Sequence, residues 1–464
     1  MTDERLDAPG HHMMLYRLLR GIAKLALRWY YRSIELVGTE HVPACGPVLV
    51  AANHWNALID ALVVACALER PVRLTAKATL LANPATRWIF RIVGIIPLRR
   101  ASDEHQTRDA PMQDTRNAHS FDAILDALAS DEMVLIFPEG RSHSEPELGR
   151  LRTGCARLAL MAQVDRQLPP VPILPVGITF EAKDRPRSRV VVNVGPPIRT
   201  EGEVDVGAQQ VQTLTERIDG ALRKLTLNFE SRDSGDRVIA VAALLTGVLD
   251  RVRPLAAPDP PLAEGVRMTQ RLEAARHLLP TVSSALAREV RDFLDVLDAF
   301  QARLRADQIP VNDLWMPVTA MAGSWFVVRE LLLLILTLPI ALWGRINHWI
   351  PLALARWIGR STSRNADEPA MHTLVSGLVL VSCFYIAIAV IIGRGAGVGW
   401  AVVYLAALPP SASLDFWVSD RWRRARARAR AYRFLRANPH RRAELRANAS
   451  AIRAEARRLD ALLR

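Results

Sequence analysis

Short apolar runs alternate between residues 37 and 200 with segments whose apolar positions recur every three or four residues. Runs of the first kind are typical of buried β-strands, and the second spacing is typical of amphipathic helices. The predicted strands are Val48–Ala52, Val72–Ala76, Ile92–Leu98, Met133–Phe137, Val171–Phe180 and Arg189–Val194. The predicted helices are Ala57–Ala67, Leu80–Ile89, Arg116–Ala129 and Gly154–Gln163. The alternation predicts an α/β fold, a domain over residues 37–203 with a largely parallel central sheet.

The segment before this domain is amphipathic. Residues 12–36 carry basic side chains three or four positions apart, with apolar and aromatic residues on the opposite side. The basic positions are Arg17, Arg20, Lys24 and Arg28. This pattern predicts a helix within residues 1–36 that lies in a membrane interface, and a helix packed on the domain core is the alternative.

The second half of the chain has a different pattern. Residues 204–325 are predicted to form a helical accessory region, which a proline-rich linker interrupts near residues 253–261. A membrane region follows at residues 326–420. Its first charge-free run, 331–344, has 14 residues and contains Pro339, so we expect a re-entrant or interfacial segment. Residues 369–393 and 395–414 contain no charged residue and predict a transmembrane hairpin.

Charge is concentrated at the C-terminus. The chain has 464 residues and a net charge of +13, and residues 421–464 contain 15 arginines and three acidic residues. Arginines beside membrane segments favour the cytoplasmic side, and two crossings keep this tail on the same side as the α/β domain. The N-terminus lacks a secretory signal pattern, and the four cysteines have no paired spacing. We therefore expect the cell inner (cytoplasmic) membrane, with the domain and an Arg-rich cytoplasmic tail on its cytoplasmic side.

Polar residues follow four of the predicted strands. His54 follows the first strand, Lys77 the second, Arg99 and Arg100 the third, and Glu139 the fourth. In parallel sheets these strand ends usually carry the function. Six residues after His54 comes Asp60, a carboxylate able to orient an imidazole base. The segment contains no Ser or Cys nucleophile, so we expect group transfer onto a substrate hydroxyl; the alternative is an ordinary helix start, capped by Asn56.

Three further segments complete the pattern. Gly94–Arg100 ends with two guanidinium groups that match phosphate oxygens. Ile136–Ser144 is a strand that ends in a Pro-Glu-Gly turn followed by Arg141 and Ser142. Val171–Gly177 is an apolar strand with two prolines. In this order, over roughly residues 45–180, the four segments resemble the motif blocks of the glycerol-3-phosphate and 1-acylglycerol-3-phosphate (lysophosphatidate) acyltransferase family.

The resemblance implies an O-acyltransferase that moves an acyl group from acyl-CoA or an acyl carrier protein to a hydroxyl of a glycerol-phosphate or lysophospholipid acceptor in phospholipid synthesis. Carried over to this chain, His54 is the general base and Asp60 its orienter. The implied substrate-binding residues are Asn53, Lys77, Arg99, Arg100, Glu139, Gly140, Arg141 and Ser142. Arg152 is a further candidate anion contact. No metal and no bound cofactor are expected, and the partners are membrane lipids and the two substrates.

One departure concerns the first block. The family usually has four residues between its His and Asp, whereas this chain has five. On a helix the extra residue rotates the carboxylate by about 100°. The longer spacing is similar to the branch of yeast-type glycerol-3-phosphate or dihydroxyacetone-phosphate acyltransferases, which leaves the acceptor open.

Two alternatives remain at this point. One is a non-enzymatic membrane protein whose Arg-rich tail binds polyanions, although nucleic acid is not the expected partner. The other is an enzyme with its own nucleophile, but no Gly-x-Ser-x-Gly segment is present.

Overall fold

The computed structural model describes residues 9–79, 87, 90, 93–98, 112–200, 205–249, 255, 259–278, 280, 283–363, 365 and 368–463. The chain divides into two compact units. Unit 1 contains residues 1–228 and 358–375, and unit 2 contains residues 229–357 and 376–464. This division differs from the predicted boundaries at 204, 326 and 421, because segments distant in sequence pack together in each unit.

Unit 1 is an α/β domain. Its strands are β1 (Ser33–Val37), β2 (Val48–Ala52), β3 (Val72–Arg73), β4 (Thr75–Lys77), β5 (Ile96–Leu98), β6 (Met133–Ile136), β7 (Ile173–Phe180) and β8 (Arg189–Val194). Six of them form one sheet in the order β1-β8-β7-β2-β6-β3, and β4 pairs with β5. All pairings are parallel except β7 with β8. The largely parallel sheet predicted from the alternation is confirmed.

Five helices precede, separate or follow these strands along the chain. They are α1 (Pro9–Tyr30), α2 (Ala57–Ala67), α3 (Met112–Ala129), α4 (Gly154–Val164) and α5 (Ala208–Leu225). The central strand β2 is fully buried, and its alternating side chains enter two apolar cores. Val48, Val50 and Ala52 belong to one core, and Leu49 and Ala51 belong to the other. A continuous apolar run in a strand covered on both faces explains this burial.

Strand β1 was not predicted. Residues 33–36 were assigned to the amphipathic N-terminal segment, but Ser33–Val37 pairs in parallel with β8. The helix before it also packs on the domain: Leu27 and Tyr30 are buried in the core, and Arg20 donates through Nε to the Ala65 carbonyl at 3.0 Å. One arginine of the basic stripe therefore binds the C-terminal end of α2, while Met14 and Leu18 stay exposed.

Unit 2 is helical in its described residues. It comprises α6 (Arg232–Leu249), α7 (Leu262–Leu278), α8 (Ser284–Ala306), most of α9 (Ala320–Thr362), most of α10 (Pro369–Ala396), α11 (Val398–Ala437) and α12 (Pro439–Leu463). One apolar core joins its two ends along the chain. Leu244, Leu297 and Leu314 pack there with Ala425, Leu435, Leu445 and Ala449.

The Arg-rich tail is part of this folded unit. Arg421 pairs with Glu330 at 2.6 Å, Arg441 with Asp307 at 2.8 Å, and Arg458 with Glu289 at 2.6 Å. Arg446 donates to the Leu314 carbonyl, and Arg453 to the Val248 carbonyl. These guanidinium groups bind acidic residues and carbonyls of the chain itself, so residues 421–464 are not a free extension.

Three helices of the described chain, α9, α10 and α11, are long and apolar enough to cross a membrane. Helix α9 differs from the prediction for residues 331–344. The predicted short segment lies inside a 43-residue helix that continues through Pro339 and Pro351. A re-entrant turn is therefore absent from residues 331–344. The apolar residues beyond this run, among them Trp325, Trp349 and Trp357, extend the exposed apolar surface along α9.

Candidate active site

The end of β2 leads directly to the predicted base. Residues 53–56 form a short turn before α2 begins at Ala57. His54 lies in this turn, and its Nδ1 is 3.0 Å from Oδ2 of Asp60 in the first turn of α2. The exposed fraction is 8% for His54 and 0% for Asp60. The strand fixes one partner and the helix the other, so the pair is held by two packed elements.

The turn also explains how the extra residue in the first block is accommodated. His54 and Asp60 do not lie on one helix, because Asn56 has non-helical dihedrals (φ −142°, ψ 45°) and Ala57 has a φ of +44°. A left-handed φ costs a non-glycine residue on the order of 1 kcal/mol. In return, Oδ2 of Asp60 accepts the Asn56 backbone N–H at 2.7 Å as well as the His54 ring. The longer spacing therefore keeps the carboxylate on the imidazole.

The surroundings of the pair define its electrostatics. Burial raises the pKa of Asp60 above its ordinary value, and the hydrogen bond from His54 opposes that rise. The His54 ring stacks on Phe137, with ring centroids 3.9 Å apart. Among the described residues no group hydrogen-bonds to Nε2 of His54. The Nδ1 contact assigns the proton to that nitrogen and leaves the Nε2 lone pair for a substrate hydroxyl.

Glu139 holds the main chain of His54. Its Oε1 accepts the His54 backbone N–H at 2.6 Å, and its Oε2 accepts the Gly149 N–H at 2.8 Å and a hydrogen bond from His143 Nε2. The His143 backbone N–H donates to the His54 carbonyl at 3.1 Å. Glu139 is 5% exposed. The sequence predicted that Glu139 contacts the acceptor, whereas the structure gives its carboxylate three donors within the protein.

No role for His143 follows from the sequence alone. Its Nδ1 accepts the Glu145 N–H at 3.2 Å, so the ring proton lies on Nε2 and points to Glu139. The short interval of four residues between Glu139 and His143 was the available signal. We call Glu139 and His143 the His54 clamp, because together they fix both backbone groups of that residue.

Asn53 requires a correction. It was predicted to bind substrate, but it is fully buried and its side chain joins two strands. The amide Nδ2 donates to the Ile178 carbonyl at 3.1 Å, and Oδ1 accepts the Ile178 N–H at 2.7 Å. Both polar groups are used by β7, so Asn53 ties the end of β2 to the neighbouring strand.

The other described residues that were predicted to bind substrate lie at the Pro-Glu-Gly turn and at the end of β4. Gly140 has a φ of +74°, which favours glycine and makes the Pro-Glu-Gly turn. Arg141 is exposed and Ser142 half-buried on the segment after this turn. Lys77 ends β4 and pairs in register with Leu98 of β5. Arg99 and Arg100, which follow Leu98, lie outside the described residues.

Lys183 is a second residue that the sequence did not identify. Its Nζ donates to the Trp55 carbonyl at 3.1 Å and to the Ser144 hydroxyl. Asn56 donates through Nδ2 to the Tyr31 hydroxyl and to the Lys183 carbonyl, each at 3.2 Å. These contacts join the β7–β8 connection to the turn that carries His54, a long-range arrangement with no local signature.

The assembled site contains an oriented imidazole with a free Nε2, and no nucleophile bonded to it among the described residues. Such a site can remove a proton from a bound hydroxyl. The described residues also contain no cluster of three or more His, Cys, Asp or Glu side chains suited to a metal ion.

Part of the chain is similar to known acyltransferases. Residues 33–179 match the model of the Acyltransferase family. Glycerol-3-phosphate O-acyltransferase 2 of Saccharomyces cerevisiae is 31% identical over 123 residues, which cover 25% of this chain and 17% of the yeast protein. An uncharacterized acyltransferase of Schizosaccharomyces pombe is 22% identical over 289 residues, covering 46% of this chain and 43% of that protein. The chain thus spans less than half the length of these curated relatives.

A solved structure is also similar. The crystal structure of the 1-acyl-sn-glycerophosphate (LPA) acyltransferase PlsC from Thermotoga maritima aligns with a TM-score of 0.34 and 16% identity. The alignment covers 46% of this chain and 81% of that structure.

Proposed function

We propose that residues 33–179, which match the Acyltransferase family model, form a catalytic domain that transfers a fatty acyl group from an acyl-thioester to a hydroxyl of a glycerol-phosphate or lysophospholipid acceptor. The observation that carries this proposal is the buried His54–Asp60 pair, 3.0 Å apart. No group of the described residues hydrogen-bonds to the imidazole Nε2, which leaves it for a substrate. The yeast relative is named for the same class of acceptor, glycerol 3-phosphate.

The mechanism follows from the residue types. Nε2 of His54 removes the proton of the acceptor hydroxyl while its oxygen attacks the thioester carbonyl, forming the ester bond. The carbon–sulfur bond then breaks, and the thiolate takes the proton back from the imidazolium. Asp60 keeps the proton of the resting ring on Nδ1 and stabilises the imidazolium that forms. No acyl-enzyme is required, because the hydroxyl of the acceptor is the nucleophile.

Cationic residues supply the binding of a phosphorylated acceptor in this proposal. Arg141 and Ser142 follow the turn that holds the His54 clamp, and Lys77 lies at the end of β4. Together with Arg99 and Arg100 they are proposed to bind the acceptor phosphate. The donor is proposed to be acyl-CoA or an acyl carrier protein, with no bound cofactor.

The proposed location is the inner (cytoplasmic) membrane, with the catalytic domain and the C-terminal helices on the cytoplasmic side. Support comes from unit 2 by itself. Leu314, just before α9, and Ala425, in the C-terminal half of α11, belong to one apolar core. Residues of one folded core lie on one side of a bilayer, so the chain between them crosses an even number of times. The hairpin proposed from the sequence satisfies this condition, whereas three crossings do not.

The test of the activity is an assay of membranes that contain the full chain. Labelled acyl-CoA and acyl carrier protein are offered with glycerol 3-phosphate, dihydroxyacetone phosphate or a lysophospholipid, and His54→Ala membranes serve as the control. We expect labelled ester with at least one pair and none above background in the variant. Equal product from both proteins would contradict the proposed mechanism, and no product from any pair would contradict the activity.

Sidedness is tested with single cysteines in a chain from which the native cysteines are removed. Val296→Cys in α8 and Ser450→Cys in α12 are exposed positions of unit 2. A membrane-impermeant maleimide added to oriented vesicles should label both or neither. Labelling of one position only, with the other reached after permeabilisation, would contradict an even number of crossings.

A further inference from the structure

Asp60 is completely buried, with an exposed fraction of 0%. Burial raises the pKa of its carboxyl group above the ordinary value, because desolvation disfavours the charged form. Within the described chain no lysine or arginine forms an ion pair with it. The proposed mechanism needs this carboxylate ionised, since it orients His54 and stabilises the imidazolium. The groups that stabilise the anion therefore decide whether the pair can act.

A single peptide unit, between Trp55 and Asn56, joins this carboxylate to a cation. The amide N–H of the unit belongs to Asn56 and donates to Oδ2 of Asp60 at 2.7 Å. The carbonyl of the same unit belongs to Trp55 and accepts a hydrogen bond from Nζ of Lys183 at 3.1 Å. Both groups lie in one planar amide, and an ammonium at its oxygen polarises the amide, which makes the N–H a stronger donor. The charge of Lys183 therefore favours the anion of Asp60 through two hydrogen bonds.

Contacts on both sides hold the ammonium group at this peptide. Nζ of Lys183 also donates to the hydroxyl of Ser144. The backbone carbonyl of Lys183 accepts a hydrogen bond from Nδ2 of Asn56 at 3.2 Å. The connection between β7 and β8 that carries Lys183 is attached to the end of α1, because Arg187 donates to the carbonyls of Arg28, Trp29 and Tyr31. The position of the charge is therefore fixed by packed elements.

Other titratable groups surround the turn of residues 53–56. They are His54, Tyr31, Glu139, His143 and Asp184. Burial raises the pKa of Tyr31 well above its ordinary value, so its hydroxyl is neutral. The carboxylate of Glu139 accepts the His54 N–H and adds a second negative charge beside the pair, and Asp184 is exposed. Of the described side chains hydrogen-bonded to this turn, that of Lys183 is the permanently cationic one.

We propose that Lys183 is a positioning residue for acyl transfer, and that its ammonium group keeps Asp60 ionised and aligned with His54 through the Trp55–Asn56 peptide. The inference rests on the proposed function, because it concerns the same histidine–aspartate pair. Lys183 touches neither substrate nor reacting atoms in this proposal, and it exchanges no proton. A neutral side chain of similar length therefore cannot replace it, whereas a second cationic one can.

Two substitutions at this position separate the charge from the space that it fills. Lys183→Met removes the ammonium group and keeps an unbranched stem, whereas Lys183→Arg keeps a cationic donor. The matched control is Arg185→Met, at an exposed position of the same connection whose side chain makes no hydrogen bond or ion pair within the described chain. Membranes with each full chain are assayed over a range of pH, and kcat and KM are determined for the acyl-thioester and the acceptor that give product.

We expect Lys183→Met to lower kcat by about tenfold and to leave KM within about twofold, because a charge-assisted hydrogen bond to the turn is lost. The acid limb of its kcat profile should move to higher pH by about one unit, since without the ammonium group the protonated form of the pair is less disfavoured. Lys183→Arg and Arg185→Met should keep the acid limb in place. An unchanged acid limb in Lys183→Met, or a loss of kcat in Lys183→Arg as large as in Lys183→Met, would overturn the proposal.

A second measurement needs no turnover. The infrared carbonyl band of protonated Asp60 is followed during acidification of the full chain in detergent micelles, and it is assigned by its loss in Asp60→Asn. We expect the band to appear at a higher pH in Lys183→Met than in the unaltered chain and in Arg185→Met. Appearance at the same pH in all three chains would overturn the proposal.

Failure of the proposed function is distinguishable from failure of this inference. A shifted infrared band in a chain that forms no ester would contradict the proposed function and support the link between Lys183 and Asp60. If Lys183→Met does not fold, Lys183→Gln takes its place with the same expectations, because it keeps a hydrogen-bond donor without the charge.

Discussion

Each unit of this protein contains a buried histidine–aspartate pair, and the two pairs have nearly the same nitrogen–oxygen distance. His54 Nδ1 is 3.0 Å from Asp60 in unit 1, and His348 Nε2 is 3.1 Å from Asp415 in unit 2. In all four residues the exposed fraction is below 9%. Distance and burial alone do not separate a catalytic pair from a structural one.

The surroundings do separate them. Asp415 also pairs with Arg345 at 2.8 Å, and the remaining ring nitrogen of His348, Nδ1, is buried with no hydrogen-bond partner in the part of the chain that the structure describes. This network joins α9 to α11 among apolar side chains, with the Tyr404 hydroxyl donating to Asn347 at 2.6 Å nearby. In unit 1, Asp60 has no arginine or lysine partner among the described residues, and His54 keeps a reachable Nε2.

The difference shows that the ring nitrogen that does not contact the aspartate separates a catalytic pair from a structural one. A base needs a lone pair that a substrate can approach, whereas a helix contact needs its polar atoms enclosed. We therefore regard His54–Asp60 as the proposed catalytic pair and His348–Asp415 as a contact that stabilises the apolar helices. Substitutions in each pair in turn should therefore separate effects on activity from effects on stability.

The largest effect is expected from removing the two imidazoles in turn. His54→Ala should lower the transfer rate by about 10³-fold, because general base catalysis is lost. His348→Ala should change the rate per folded molecule by less than about twofold. Initial rates normalised to the monodisperse fraction in size-exclusion chromatography measure both. Equal losses in the two variants would remove the distinction drawn between the pairs.

The next largest effect is a loss of stability when the carboxylate of the unit 2 pair is removed. Asp415→Leu leaves the buried His348 without its partner, and breaking such a buried pair costs about 3 kcal/mol of stability. The thermal unfolding midpoint in micelles should fall, while the rate per folded molecule stays unchanged. In the double variant His348→Leu/Asp415→Leu much of the loss should be recovered, since a buried pair replaced by apolar groups is often neutral. A double variant less stable than the single one argues against a structural pair.

Removing the carboxylate of the unit 1 pair should lower the transfer rate and preserve the fold. Asp60→Asn removes the charge that stabilises the imidazolium and allows an amide N–H to donate to Nδ1, which selects the wrong tautomer. We expect the rate to fall by on the order of 10²-fold, with folding preserved. Rates at saturating substrate, compared with binding of glycerol 3-phosphate, separate this loss from weaker binding. An unchanged rate would mean that the longer first block has released Asp60 from the site.

The smallest effect concerns stability and pH. Burial raises the pKa of Asp60 in the folded state, so the folded chain binds this proton more tightly than the unfolded chain does. The stabilising contribution is complete below the unfolded pKa of about 3.9 and is lost as the pH rises through the folded value. At pH 7, Asp60→Asn should therefore unfold at the same temperature as the unaltered chain or a higher one. A clear decrease in the midpoint would show that the carboxylate is net stabilising.

Much of unit 1 was predictable because its signals are local. The apolar run Val48–Ala52 forms a strand of the predicted bounds, and Ala57–Ala67 forms the predicted helix. His54 and Glu139 each follow a strand of a parallel sheet, so the sequence predicted that they lie in the same region of the domain. The role of Glu139 was not predictable, because the donors that surround its carboxylate come from three separate positions of the chain.

The sequence by itself determined the α/β alternation, the order of the motif blocks and the choice of His54 as the proposed base, since period and residue type are written in consecutive positions. Only the tertiary structure decided which polar groups meet. Asn53 bonds to Ile178, Arg421 binds Glu330 in a distant helix, and His348 meets Asp415 across 67 positions. Such contacts depend on how helices and strands pack, and the energy of a buried polar group depends on the partner that packing supplies.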